Sequence, residues 1–156
     1  MRLSFLLMLL LTLSGPLHTA RAGPYVDLVD FPTREANWDR FYALEGRLMH
    51  AFDDVCGDTF CEGAYSDYRV LQFRCSVHAG RGHLHSCVWV LAASNLDVDA
   101  GSGHIGVDNG RWTCPVPLAP GTTVEAFHAA LEGDGLLHGR LPGTDRTLYD
   151  GLMACL

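Results

Sequence analysis

Lysine is missing from the chain: all 11 of its cationic side chains are arginines. That removes Schiff-base chemistry and a P-loop, both of which need the amine. No stretch reaches the ~20 apolar residues of a membrane helix; the main apolar run is confined to Leu3–Leu13. There is no G-x-S-x-G and no H-E-x-x-H, so the common serine-hydrolase and zinc-protease signatures are absent. Cations are also scarce. The 18 acidic residues all follow residue 22 and only 9 of the 11 arginines do, so residues 23–156 carry 9 − 18 = −9 with histidine neutral. Such a balance argues against nucleic acid, which is held by clustered cations, and against adsorption to anionic lipid.

What is present begins with an export signal. Arg2 precedes the Leu3–Leu13 run, and "TARAG" offers Ala20 and Ala22 in the small-x-small pattern of a signal-peptidase site. The expectation is a signal peptide over 1–22, cleaved after Ala22, and one secreted or periplasmic domain over 23–156. No membrane insertion is expected after cleavage, and the absence of a nearby cysteine argues against a lipid anchor. A chain of this length buries enough surface for a true core. Six cysteines follow the cut: Cys56, Cys61, Cys75, Cys87, Cys114 and Cys155. An even number in an exported protein reads as three disulfides and leaves no thiol nucleophile. Zinc is disfavoured, because the closest pair is C-x4-C and no second pair resembles it. The local pairing is Cys56–Cys61, Cys75–Cys87 and Cys114–Cys155; its main competitor joins a strand cysteine to the helix end, as Cys61–Cys75 would.

Periodicity gives an α+β fold. Residues 23–33 show little pattern. A helix is expected from near Thr33, with Trp38, Phe41, Leu44, Leu48, Phe52 and Val55 in one stripe, ending at Gly57. "RVLQFRCSVH" (69–78) and "HLHSCVWVLAAS" (83–94) alternate as two strands joined by a glycine-rich turn. A hairpin centred on Arg81 sets Cys75 opposite Cys87, Phe73 opposite Trp89 and Leu71 opposite Leu91, all facing inward. Residues 95–110 read as a long connection with a short strand near His104–Val107. "RWTCPVPL" (111–118) is a third strand, confined to an edge by its prolines. Thr122-x-x-Glu125 and Thr144 mark the starts of two C-terminal helices. The whole is an N-terminal helix, a three- or four-stranded antiparallel meander, and two C-terminal helices on the apolar sheet face, stapled by disulfides.

Several clusters invite a chemical reading. "DDVCGDTFCEGAYSD" (53–67) gathers Asp53, Asp54, Asp58, Glu62 and Asp67 around two cysteines. Calcium would want such oxygens, but the spacing misses the EF-hand pattern, and a disulfide-closed helix corner with solvated acids explains it. "DVDAGSGHIGVD" (97–108) also resembles a calcium loop, yet Ser102 stands where that loop needs glycine. His78, His83 and His85 cluster at the hairpin, with His83 and His85 on one face and His78 on the other; a third metal ligand is missing. No metal or other cofactor and no catalytic residue is therefore assigned. The preferred site is the outer sheet face: Val70, Gln72, Arg74, Val88, Val90 and Arg111, an apolar centre rimmed by arginine. The 23–33 segment is the candidate to cover it. The expected function is an exported, non-enzymatic binding protein of bacterial type, an inhibitor or immunity-type partner of another secreted or periplasmic protein. The alternatives are a small secreted hydrolase using histidines and acids, with Arg74, Arg81 or Arg111 for phosphate, and a structural envelope-assembly component.

Overall fold

The computed structural model describes residues 23–133 and 135–156. The expected signal peptide, residues 1–22, lies outside the described residues. The fold is α+β. Strands β1 (Tyr25–Asp27), β2 (Arg69–His78), β3 (His83–Val98) and β4 (Ile105–Pro115) form one antiparallel sheet in the order β1-β2-β3-β4. Helices α1 (Trp38–Cys56), α2 (Val124–Ala130) and α3 (Leu148–Met153) complete it. Among the described residues no helix is long and apolar enough to cross a membrane.

The core lies on the inner sheet face. Phe41, Leu44, Leu48 and Phe52 repeat at three- and four-residue spacing along α1 and are fully buried. Phe73 sits at the centre, with Trp89 beside it, Phe41 of α1 and Phe127 of α2 stacked parallel to it. Leu148 and Leu152 bury the inner side of α3. Arg40 reaches from α1 to Glu125 of α2 with two 2.9 Å bonds, and Arg47 donates to the carbonyls of Leu131 and Glu132 beyond the end of α2. The disulfides are Cys56–Cys61, Cys75–Cys87 and Cys114–Cys155, the local pairing. They close the end of α1, bridge β2 to β3 and tie β4 to the chain after α3.

The structure corrects several local readings. The α1 helix starts at Trp38, not near Thr33, and Trp38 is half exposed instead of joining the buried stripe. Asn37 holds the entry by donating its amide to the Phe31 carbonyl. Residues 23–33 are not a patternless leader. They form the edge strand β1 and a 3-10 turn over Leu28–Asp30 whose Leu28 and Val29 are buried. The segment therefore joins the sheet edge beside β2. Thr123 caps α2 in place of Thr122, and Thr147 caps α3 in place of Thr144, in a reciprocal capping box with Asp150.

The largest correction is the 95–110 connection. It is not a loop but the far half of β3 and β4, a two-stranded ribbon with Leu96 opposite Val107 and Val98 opposite Ile105. Its turn closes over 99–104. Asp99 accepts from the backbone and hydroxyl of Ser102, which holds its carboxyl below the usual range, and Gly103 supplies the positive φ.

Candidate contact surface and aromatic cleft

Register decides what the outer sheet face contains. Cys75 pairs with Cys87, Arg74 with Val88 and Phe73 with Trp89, as the hairpin alignment requires. The ladder then slips: Gln72 pairs with Val90, but Val70 pairs with Leu91, leaving Leu71 as an extra residue in a β-bulge. Val70 thus turns inward and is buried, whereas Leu71 is 54% exposed. Both expectations at this step, Val70 outside and Leu71 inside, are reversed by that one residue.

The remaining expected positions are spread over the outer face. Val88 and Val90 are half-buried, and Gln72 opposite Val90 is exposed. Arg111 is exposed opposite Ala92. Arg74 is engaged elsewhere. Its guanidinium donates to the Tyr42 hydroxyl at 3.0 Å, lies over the Phe41 and Tyr42 rings and approaches Asp27 at 3.9 Å. The Tyr42 bond raises its pKa further. It clasps α1 to the sheet edge and is not a free rim charge.

The sequence reading missed how far this face continues. Strand alternation carries the row Val88, Val90, Ala92 and Ser94 on to Leu96 and Val98, beside Val107 and Ile105 on β4. Leu96, Val98, Ile105 and Val107 are 63%, 62%, 56% and 60% exposed. The signal was present: "NLDVD" and "HIGVD" each alternate with period two around a glycine-rich turn, the mark of a hairpin. The opposite side of the ribbon is polar, with Asn95, Asp97 and Asp108. The open edges are partly closed by carboxylates. Asp67 accepts from the backbone and hydroxyl of Ser94, which holds its carboxyl low, and Glu45 accepts from the backbone of Phe73.

A second concavity was not foreseen. A cleft of about 530 Å³ opens between β4, the corner after α1 and α3. Phe60 and Tyr149, with ring centroids 5.6 Å apart, line it together with Tyr65, Tyr68 and Trp112. The latter three pack together, Tyr65 edge to face with both Tyr68 and Trp112, and Tyr68 tilted on Trp112, with centroids 4.9–6.0 Å apart. Trp112 lies over Gly110, where any Cβ would collide with the indole. Tyr65 donates to Asp108 at 2.9 Å, which raises the tyrosine pKa; burial raises that of Tyr68. Among the described residues neither a histidine nor a carboxylate side chain lines this cleft.

The other candidates are dispersed. Among the described residues no three His, Cys, Asp or Glu side chains converge as metal ligands would. Asp53 faces Arg69 at 4.0 Å, Asp54 lies 3.8 Å from His50 across one helical turn, and Asp67 is committed to Ser94. At the hairpin a bulge at His85 sets His78 opposite His83, on the same face and not on opposite faces. Tyr25 contacts both His78 and His85. A shallow depression of about 160 Å³ is lined by Asp54 and His138, with no hydrogen bond between them. Comparison with protein-family models, curated proteins and solved structures finds no match for the chain.

Proposed function

We propose that the protein is exported and binds another exported protein through its outer sheet face and the ribbon that prolongs it, as an inhibitor or immunity-type partner. One observation carries this reading: Leu96, Val98, Ile105 and Val107 form a contiguous apolar patch, each more than half exposed. A large exposed apolar patch costs solubility and is retained where a partner covers it. Three disulfides support export, since such bonds persist in oxidising compartments. They also hold the scaffold rigid, which lowers the entropy lost on association. The hydrolase alternative, which needs histidine beside acid, has less behind it: among the described residues no histidine lines the aromatic cleft or the acidic depression of about 320 Å³ beside Arg74, and the Asp54/His138 depression is below the size of ordinary substrate pockets.

The test is competitive. Oxidised protein is immobilised and exposed to the extracellular and periplasmic fractions of its own cells, beside a Val98→Asp/Ile105→Asp variant that folds with the same thermal midpoint. The reading expects a stoichiometric protein ligand that the variant loses and that soluble wild type displaces. Equal retention by both proteins, or no ligand held by either, overturns it.

A further inference from the structure

We propose that the aromatic cleft is a binding site for a small organic cation with an apolar body, such as an aryl-substituted quaternary ammonium. The cleft and the outer face are chemically separate. Gly110 and Trp112 lie on the inner side of β4 and Arg111 and Thr113 on the outer, so either site can fail without the other.

The argument starts from what lines the cleft. Phe60, Tyr65, Tyr68, Trp112 and Tyr149 supply aromatic faces or edges, and Met153 and Leu156 add apolar surface. Among the described residues no arginine, histidine, aspartate or glutamate lines the cleft. The volume, about 530 Å³, suits a small molecule and exceeds what one protein side chain fills. With no charged side chain among these residues, the ring faces, which are negative and attract cations, most strongly at tryptophan, dominate the side-chain field.

The surroundings reinforce the same sign. Asp108 accepts a hydrogen bond from the Tyr65 hydroxyl and so sets a carboxylate at the rim. Asp58 and Glu62 are exposed in the segment that forms one wall. Arg69, the cation next to Tyr68 in the chain, is turned toward Asp53. An anion would meet acids and ring faces, with no cationic side chain among the described lining residues, since His138, packed 4.7 Å from the Tyr149 ring, is not one of them; a neutral ring would gain burial alone. Tyr68 adds a phenol to the wall: it is 7% exposed and lines the cleft. The wall is also built to hold its shape. Trp112 is fixed between Gly110 beneath it and the Tyr65 and Tyr68 rings beside it, so the site is formed before any ligand arrives.

The experiment titrates the purified, oxidised protein with benzyltrimethylammonium, its uncharged carbon isostere neopentylbenzene, and benzenesulfonate, followed by NMR of the aromatic resonances at neutral pH. The cation is expected to bind at least about fivefold more tightly than the isostere, with the sulfonate weakest. Shifts should concentrate on Trp112, Tyr149 and Tyr65. Trp112→Leu should weaken the cation about tenfold, Tyr149→Leu should do likewise from the opposite wall, and Asp108→Asn should narrow the preference over the isostere. Using both walls protects the test from a variant that misfolds. The Val98→Asp/Ile105→Asp variant should bind the cation as wild type does. Equal or tighter binding of the neutral isostere, shifts centred elsewhere, or no saturable binding of the cation would overturn the proposal.

Discussion

Burial decides which single residues matter. His128 on α2 is 3% exposed, and its Nε2 has no hydrogen-bond partner among the described residues. Burial first and the nearby Arg40 next push its pKa from 6.5 down to about 4, with an opposing pull from Glu125 and a lesser push from Arg47. The folded value lies below the unfolded one, so the unfolded chain takes up the proton first as pH falls. Stability from this residue is intact above about pH 6.5, declines through the interval down to about pH 4, and levels off below it. Between pH 7 and pH 5 that linkage costs about 2 kcal/mol. Urea unfolding at the two pH values should show the loss in the wild type and a much flatter response in His128→Met. An equal loss in both proteins would exclude His128 as its source. The depressed carboxyls of Asp67, Asp99 and Asp150 act in more acidic solution, so they do not mask this window.

At the scale of elements, one extra residue reassigns a face. The β2 alternation reads Leu71 inward if the ladder is regular, and nothing in "RVLQF" announces a bulge. Stability should follow the observed register. Val70→Asp buries a charge and should cost about 4 kcal/mol or more, whereas Leu71→Asp on the solvent side should stay within about 0.5 kcal/mol of wild type. Thermal unfolding of the two variants checks this, and the opposite order would restore the regular ladder. The same scale explains what was legible. The apolar stripe of α1 was readable because five buried residues repeat at helical spacing. The Cys75–Cys87 alignment was readable because Phe73 and Trp89 repeat it one step along. The ribbon's alternation was present but hidden, because its acids and glycines imitate an ion-binding loop. The cleft was not readable, because Phe60, Tyr65, Trp112 and Tyr149 come from separate elements that only the tertiary fold unites.

Over the whole molecule, the three disulfides close chain segments of very different length. Cys56 and Cys61 are 5 residues apart, Cys75 and Cys87 are 12, and Cys114 and Cys155 are 41. A cross-link restricts the unfolded chain more when its loop is longer, so loop entropy alone ranks their contributions as about 2, 3 and 4 kcal/mol. Position in the fold points the same way. The first bridge fastens a corner already attached to α1, and the second joins strands that the ladder already pairs. The third is the only disulfide between β4 and the C-terminal segment, whose own helix is short. Paired cysteine-to-alanine variants, unfolded in urea without reductant, should therefore lose stability in the order Cys114/Cys155, Cys75/Cys87, Cys56/Cys61. The Cys114→Ala/Cys155→Ala protein should also expose the 148–156 segment to protease before the sheet unfolds. A larger loss from the Cys56/Cys61 pair would mean that strain or buried packing at the α1 corner, and not the unfolded chain, governs how these cross-links stabilise the molecule.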